Sequence, residues 1–190
     1  MLIGILAVHG SFNLHKKILD RLNICNILVK NKHQLLNSDA LILPGGESTV
    51  ISQYLCKQNL HDEIKRYSLN HSIYGTCAGG ILMSSYIKDN IVKPLKIANI
   101  AVHRNSWGSQ IDSFTEEIKL SFSKNLFKAI FIRAPRYNIK SKKIKILAEF
   151  NNEPVLIQEG RHLVSSFHPE LGHDTRIHEY FLKLASNGKI

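Results

Sequence analysis

The sequence predicts an α/β fold with a mostly parallel central sheet. Short apolar runs alternate with stretches of helical spacing over the first half of the chain, as in consecutive strand–helix–strand units. The second half is mostly strand-like and predicts an added antiparallel portion. The chain has 190 residues, of which 44% are hydrophobic, so we expect one domain, over residues 1–190, around a sizeable core.

The individual elements follow from apolar periodicity and from turn residues. Residues 2–8 form a continuous apolar run typical of a strand covered on both faces, and residues 14–22 carry apolar side chains at helical spacing. By the same criteria the further strands are 27–29, 40–43, 72–76, 97–102, 118–122, 129–132, 144–150, 155–158 and 163–167, and the further helices are 48–58, 62–69, 78–85 and 175–185.

The chain carries a formal charge of +10, which favours acidic partners in general but specifies no chemistry. Its densest basic run consists of Lys140, Lys142, Lys143 and Lys145, and it predicts a solvated loop or the edge of a strand. Aromatic residues do not interleave with these lysines as they do in a groove for single-stranded nucleic acid. We therefore expect no nucleic-acid partner.

The three cysteines and the first residues bear on the cellular environment. Residues 2–8 are too few to span a membrane, and they lack the basic flank of a signal peptide. Cys25, Cys56 and Cys77 match no zinc or disulfide spacing. The sequence therefore predicts a cytoplasmic protein with reduced thiols, no membrane contact and no bound metal. We expect Cys25 and Cys56 to be small core residues.

A candidate nucleophile lies in the segment Gly75-Thr76-Cys77-Ala78-Gly79-Gly80. This segment follows a short strand and precedes a helical stretch, which is the context of a nucleophile elbow with Cys in place of Ser. Glycines suit so sharp a turn, the helix start favours a thiolate, and the Ala78 N–H is a candidate oxyanion donor. The alternative is a buried structural cysteine beside a packing turn.

A candidate base lies in the segment His168-Pro169-Glu170, directly after a strand-like run. Pro169 favours extended geometry at His168, and residues two apart in an extended segment share a face. Glu170 is therefore expected to orient His168, as in a nucleophile–base–carboxylate triad. The alternative is a surface-loop histidine followed by a helix-capping acid. His61, His71, His162, His173 and His178 lack this setting and are expected to face solvent.

A third strand–turn–helix junction reads Leu43-Pro44-Gly45-Gly46-Glu47-Ser48-Thr49. Its two glycines, followed by hydroxyl side chains, can present backbone N–H groups to an anion or an oxyanion. The lysine and the spacing of a nucleotide P-loop are missing. A structural turn with Ser48 as the helix N-cap is compatible with this interpretation.

Together these segments resemble the class I glutamine amidotransferases, and within them the PdxT/SNO family of pyridoxal 5′-phosphate synthase glutaminases. The G-x-C-x-G and H-P-E pieces mark the broad class. The narrower likeness rests on the junction at 43–49, on Arg104-Asn105-Ser106-Trp107-Gly108, on Gln110-Ile111-Asp112-Ser113-Phe114 and on Phe131-Ile132-Arg133-Ala134-Pro135. The resemblance runs nearly end to end and implies a three-layer fold.

The resemblance also implies an activity and a partner. Cys77, His168 and Glu170 would hydrolyse L-glutamine through a glutamyl thioester, without a cofactor. Gly46 and Ala78 would form the oxyanion hole, and the glutamine would be held by Gly46, Glu47, Ser48, Arg104, Ile132 and Arg133. The ammonia would pass to a PdxS-type (β/α)₈ synthase in a large hetero-oligomer that makes pyridoxal 5′-phosphate.

Two departures from the family pattern concern the site. The first loop reads Val8-His9-Gly10, where the family usually has L-Q-G, and Gly80 replaces a bulky apolar residue after the nucleophile turn. Two alternatives also stay open: a glutaminase that serves another synthase, such as the imidazole glycerol phosphate type, and a catalytically silent interaction protein on the same fold. An intact Cys77, His168 and Glu170 argues against the silent protein.

Overall fold

The computed structural model describes residues 1–88, 91–104 and 113–186. Most of the two motifs at 104–108 and 110–114 lies outside these residues, namely Asn105, Ser106, Trp107, Gly108, Gln110, Ile111 and Asp112. The described strands are β1 (Ile3–Leu6), β2 (Asn26–Val29), β3 (Ala40–Leu43), β4 (Ser72–Thr76), β5 (Ser84–Ile87), β6 (Ala98–His103), β7 (Ser113–Ile118), β8 (Phe127–Ile132), β9 (Arg136–Ile139), β10 (Ile144–Phe150), β11 (Glu153–Glu159) and β12 (His162–Ser165).

The described helices connect these strands and cover the sheet. They are α1 (Phe12–Arg21), α2 (Lys32–Leu36), α3 (Ser48–Lys57), α4 (Leu60–Tyr67), α5 (Ala78–Met83) and α6 (Arg176–Ser186), with a short 3-10 helix at Pro169–Leu171. None of them is long and apolar enough to cross a membrane, as judged over the described part of the chain.

A seven-stranded sheet in the order β10-β11-β12-β4-β3-β1-β2 forms the centre of the molecule. The pairs β1–β2, β1–β3, β3–β4 and β12–β4 are parallel, and β10–β11 and β11–β12 are antiparallel. Two smaller sheets, β5-β6-β9 and β7-β8, add to this frame. The predicted α/β class, with its antiparallel addition in the second half, is confirmed.

Apolar side chains on the two faces of the central sheet enter two separate cores. Leu41 and Leu43 of β3 pack into one core with α3, α4 and α5, whereas Ala40 and Ile42 pack into the other with α6 and the β7–β8 pair. Successive side chains of a strand point to opposite faces, so a run that is apolar throughout indicates cover on both sides. The sheet is thus the middle of three layers.

Most predicted elements are present, with ends shifted by one or a few residues, but one strand was misplaced. A strand was predicted at 118–122, whereas β7 ends at Ile118 and its strand pairing with β8 lies upstream, over Ser113–Ile118. Leu120 is buried without being in a strand. The helix α2 and the strands β5 and β9 were not predicted.

Several single-residue environments also differ from expectation. Cys25 and Cys56 were expected in the core and are exposed. His61 and His178 were expected to face solvent, but they keep only 5% and 0% of their surface. Residue type was a poor guide here, because packing against distant segments sets the environment of a single side chain.

Candidate active site

The turn between β4 and α5 holds Cys77 in a strained conformation. Its backbone has φ 46° and ψ −101°, an uncommon combination for any residue other than glycine. The glycines beside it are required by close approach, because a β-carbon at Gly79 would stand 1.9 Å from the Leu43 carbonyl oxygen and one at Gly75 2.6 Å from Met83 Sδ. This is the strand–turn–helix geometry expected of a nucleophile elbow.

Backbone pairing between β4 and β12 brings the two catalytic candidates together. Thr76 pairs with Ser165 in parallel register, and the Cys77 N–H donates to the Ser165 carbonyl over 2.8 Å. The chain leaving β12 therefore reaches His168 beside the Cys77 turn. The His168 N–H donates to the Ile130 carbonyl of β8 over 2.8 Å, which fixes this segment from the other side.

His168 and Glu170 are in direct contact, as expected for a base and its orienting carboxylate. The Nδ1 atom of His168 lies 2.7 Å from Glu170 Oε1, and Glu170 is fully buried as a side chain. The ring of His168 also packs on Gly45, where a β-carbon would stand 2.2 Å from Cε1. Glu170 fixes the ring through one nitrogen, which leaves Nε2 for chemistry.

Electrostatics keep this pair ionised. Burial alone would lower the pKa of His168, but interactions with Cys77 and Glu170 outweigh it and raise the pKa to about 10. Burial alone would raise the pKa of Glu170, but His15, His168 and Ser11 lower it to about 2. A protonated imidazole therefore stands beside a carboxylate over the whole neutral range.

Two residues that contact Glu170 were not foreseen from the sequence. Ser11 Oγ donates to Glu170 Oε1 over 2.6 Å, and His15 Nε2 lies 3.6 Å from Glu170 Oε2. Helical spacing does indicate that His15 is buried, because positions 15, 18 and 19 fall on one face of α1 and Ile18 and Leu19 are buried. That spacing places His15 toward the core.

A cavity of about 400 Å³ unites the predicted site residues. Its walls include Cys77 and His168 together with the predicted Gly46, Glu47, Ser48, Arg104, Ile132 and Arg133, and also His9 and Ile81, which had no assigned role in the site. Ala78 is buried at the first position of α5, next to Cys77, and Glu170 lies behind His168, away from the cavity. The volume suits a small polar ligand.

The loop after β3 forms one wall of this cavity. Glu47, rather than the expected Ser48, is the N-cap of α3, and it makes no side-chain capping bond. Its carboxylate instead accepts from Thr49 Oγ1 over 2.9 Å and lies 3.5 Å from Arg104 Nη2. The Glu47 N–H donates to His9 Nδ1 over 3.1 Å. His9 thus fixes the loop that carries Gly46.

Two positively charged side chains reach the same cavity from other segments. Arg104 directly follows β6, and Arg133 directly follows β8. Arg133 has φ 42°, so its backbone is in the left-handed region, which is uncommon for a residue with a side chain. A guanidinium in this position is suited to pairing with a carboxylate.

Close packing explains why position 80 is a glycine in this chain. A β-carbon at Gly80 would stand 2.2 Å from Tyr137 Oη and 2.8 Å from Val164 Cγ1. Tyr137 is buried, and its hydroxyl donates to the Ser165 carbonyl over 2.9 Å, the same oxygen that accepts from the Cys77 N–H. The Tyr137 side chain therefore occupies the space that a larger side chain at position 80 would need.

The site contains the groups for nucleophilic chemistry, and metal ligands are not clustered in it. No group of three or more His, Cys, Asp or Glu side chains suited to a metal ion occurs within 1–88, 91–104 and 113–186. This arrangement of a cysteine, a histidine and a carboxylate beyond the carboxyl ends of two parallel strands is suited to acyl transfer.

Comparison with known proteins identifies the class. Residues 5–187 match the model of the SNO glutamine amidotransferase family, and the chain belongs to that family. A crystal structure of a glutamine amidotransferase superposes with a TM-score of 0.91 at 38% identity, over 97% of this chain and 98% of the other.

Curated relatives indicate which glutamine amidotransferases this chain is similar to. The chain is 39% identical to the pyridoxal 5′-phosphate synthase subunit PdxT of Thermosipho africanus, over 97% of this chain and 98% of the relative. It is 41% identical to PdxT of Oenococcus oeni, over 98% of both chains. The structure of PurLQS from Thermotoga maritima, at 14% identity and TM-score 0.67, shares the fold over 98% of this chain and 95% of its own.

Proposed function

We propose that this protein hydrolyses L-glutamine to L-glutamate and ammonia and supplies the ammonia to a PdxS-type synthase that makes pyridoxal 5′-phosphate. Membership of the glutamine amidotransferase family and full-length likeness to PdxT subunits support this function. The observation that carries it is the meeting of Cys77 and His168 in one cavity, with Glu170 bound to the far side of the imidazole.

The proposed chemistry begins with Cys77. Its thiolate attacks the side-chain amide carbon of glutamine, and a tetrahedral intermediate forms. The proton that Cys77 gives up resides on His168 Nε2, which passes it to the amide nitrogen, so that ammonia leaves and a glutamyl thioester remains. A water molecule, deprotonated by the same imidazole, then attacks the thioester and releases glutamate and the thiol. Glu170 stabilises the imidazolium through Nδ1.

The remaining cavity residues are assigned to substrate binding. The backbone N–H groups of Gly46 and Ala78 stabilise the oxyanion, and Arg104 and Arg133 provide charge for the α-carboxylate of glutamine. Glu47 offers a carboxylate for the α-ammonium group, while Ser48 and Ile132 complete the wall of the cavity. Glutamine itself provides the groups that these side chains match, and the reaction needs no cofactor.

The proposed assembly places this glutaminase, as one domain over residues 1–190, on a (β/α)₈ barrel protein in a large hetero-oligomer. Its setting is the cytoplasm, without nucleic acid or membrane as a partner. The high positive charge of the chain would favour an acidic docking face on the synthase.

The direct test is glutamate release from glutamine by the purified chain, with and without a PdxS-type synthase. Cys77→Ala should abolish release in both conditions, because no other group forms the thioester. Cys25→Ala and Cys56→Ala are matched controls, since both thiols are exposed and outside the cavity, and they should keep wild-type rates. Full activity of Cys77→Ala, or no glutamine hydrolysis by the wild-type complex, would refute the proposal.

A further inference from the structure

Behind Glu170 lies a pair of histidines that the proposed chemistry does not use. His15 of α1 and His178 of α6 have no exposed surface, although 163 residues separate them in the chain. Their rings approach through His15 Nδ1 and His178 Nε2, which are 2.9 Å apart. The other nitrogen of His15, Nε2, lies 3.3 Å from Thr76 Oγ1 and 3.6 Å from Glu170 Oε2.

The protons in this pair can be placed by elimination. An ionised carboxylate only accepts hydrogen bonds, so a proton on His15 Nε2 is attracted to Glu170 and a bare nitrogen there is repelled. A proton on Nε2 of the neutral His15 ring makes Nδ1 the acceptor, so His178 Nε2–H is the donor. The Thr76 hydroxyl suits either arrangement, because it can both donate and accept.

The remaining atoms support the same assignment. Within the part of the chain that the structure describes, His178 Nδ1 and Glu170 Oε2 have no hydrogen-bond partner. The alternative tautomer would leave a buried N–H donor unsatisfied at His178 Nδ1, and among backbone groups unpaired buried N–H donors are rarer than under-satisfied acceptors. Burial lowers the pKa of both histidines, that of His178 to about 3, so each ring is a neutral dipole at neutral pH.

The surroundings contain few groups that could compete for Glu170. The carboxylate faces Ser11, the N-cap residue of α1, and His15 within α1, and from its own segment it faces His168. Tyr74 of β4 meets both His15 and His178 edge-on, and its hydroxyl is turned to Ser165 Oγ at 3.2 Å. The two oxygens of Glu170 therefore have different neighbours, namely Ser11 and His168 at Oε1 and His15 at Oε2.

We propose that His15, oriented by His178, is a positioning residue for the catalytic pair: its Nε2–H faces Glu170 Oε2 and fixes the carboxylate that orients His168. The two rings form a directed chain in which His178 donates to His15, and the remaining proton of His15, on Nε2, lies near both Thr76 Oγ1 at 3.3 Å and Glu170 Oε2 at 3.6 Å. Such outer contacts set the orientation and basicity of the groups that react. This inference rests on the proposed glutaminase activity.

The first test compares His15→Leu, which removes the donor, with His15→Gln, whose amide N–H₂ can reach the place of Nε2. Steady-state hydrolysis of glutamine by the complex with its synthase should show kcat about 10- to 100-fold lower for His15→Leu, with KM nearly unchanged. The acid limb of its kcat profile should move to higher pH, because Glu170 loses the nearby N–H dipole that favours its ionised form. His15→Gln should restore most of kcat and return the acid limb of the profile close to its wild-type pH.

Two more variants test the direction of the chain and the effect of burial. His178→Gln keeps a donor for His15 Nδ1, whereas His178→Leu removes it, and only the second should shift the acid limb. His61→Leu is the matched control. His61 is also buried, and its ring nitrogens are bonded to Asp62 and to the Pro94 carbonyl, but it lies on the other face of the central sheet from His178. It should lower Tm without moving the limb.

A second measurement is independent of glutamine turnover. Alkylation of Cys77 by iodoacetamide, followed against pH by peptide mass spectrometry, reports how well protonated His168 stabilises the thiolate. The exposed Cys25 and Cys56 of the same molecule serve as internal references. In His15→Leu, the alkylation rate of Cys77 at neutral pH should fall about threefold or more, and the rates of Cys25 and Cys56 should not change.

The outcomes separate this inference from the proposed function. If the wild-type complex releases no glutamate, the proposed function fails, and the alkylation profile still decides whether His15 acts on the catalytic pair. If the wild type is active but His15→Leu and His15→Gln have the same kcat, the same acid limb and the same Cys77 alkylation rate, the positioning role is overturned. A lower Tm for His15→Leu with unmoved profiles also overturns it, because that is the signature of a packing residue.

Discussion

The imidazole of His168 rests on the backbone of Gly45, so closely that a β-carbon at position 45 would stand 2.2 Å from Cε1 and 2.8 Å from Nδ1. Two turns that are far apart in the sequence, one after β3 and one after β12, thus define the position of the base together. Gly45 belongs to the same loop as Gly46 and Glu47, so the wall of the cavity and the base cannot be displaced independently.

Gly45→Ala should therefore displace the His168 ring. A misplacement of about 1 Å can reduce the rate about 100-fold, so we expect kcat to fall by roughly that factor while KM changes little. Steady-state kinetics of glutamine hydrolysis measure both constants. Gly172→Ala is the matched control, because a β-carbon there would meet its nearest atom at 3.6 Å and should be neutral. Equal kcat for both variants would contradict the steric argument.

Gly80 and Tyr137 should behave as a coupled pair. Gly80→Leu forces a side chain into the space of the Tyr137 hydroxyl and should reduce the free energy of unfolding by about 1–3 kcal/mol. Tyr137→Ala should also destabilise, by roughly 3–5 kcal/mol, through the cavity that it leaves.

The double variant Gly80→Leu/Tyr137→Ala is the test of this coupling. We expect it to be more stable than the sum of the two single changes predicts, by about 1–2 kcal/mol, because the leucine fills part of the vacated space. Urea unfolding of the four proteins completes the cycle. Strict additivity would show that the two positions do not share this space.

Mild acid should destabilise the protein through His178. Burial and His15 lower its pKa from 6.5 to about 3 in the folded state. A group whose folded pKa is lowered contributes stability that is present above its unfolded pKa of 6.5 and is lost as the pH falls toward 3. The slope approaches about 1.4 kcal/mol per pH unit for one proton.

Chemical unfolding of wild type and His178→Gln between about pH 7 and about pH 5 measures this contribution. This range lies above the window of Glu170, whose folded pKa of about 2 affects stability only as the pH falls below 4.5. The variant should lose less stability over the range than the wild type does. His173→Gln, at an exposed position, should follow the wild type. Parallel curves for wild type and His178→Gln would contradict the assignment.

Arg133 should affect substrate binding rather than chemistry. Arg133→Lys keeps the charge but loses the planar pair of donors that matches a carboxylate, so KM for glutamine should rise about 10-fold with kcat within about threefold of wild type. Arg161→Lys, on a residue that does not line the catalytic cavity, is the control and should leave both constants unchanged. A fall in kcat at constant KM would assign Arg133 to the transition state instead.

Much of the frame could be predicted because it depends on local pattern. The apolar runs at β1 and β3 are buried on both faces, and the glycine-rich turns after β3 and β4 begin helices, as their residues indicate. The candidate residues followed from local geometry too, since a glycine turn between strand and helix suits a nucleophile at Cys77, and Pro169 favours an extended segment in which His168 and Glu170 share a face. The resemblance to a family then supplied the roles of Arg104 and Arg133.

What could not be predicted depends on contacts between distant segments. His178 is buried because α6 carries it against His15 and Tyr74, although its position beside Ile177 and three residues before Phe181 already placed it on the apolar face. The strand β7 was missed because its exposed alternate residues are polar, whereas the apolar residues after it belong to a loop. Gly80 had no apparent reason until Tyr137, 57 positions later, was found against it.

The backbone hydrogen bond from Cys77 to Ser165 has a consequence for how this protein can be regulated. Cys77 and His168 follow the neighbouring strands β4 and β12 in the interior of a seven-stranded sheet, so their spacing depends on backbone pairing within that sheet. The wall that carries Arg133 is different, because Arg133 directly follows β8, which lies outside this sheet, and such a connection can adjust at low cost. Any docking protein that changed the rate without unfolding the sheet would therefore act on such a connection and leave the positions of Cys77 and His168 as they are.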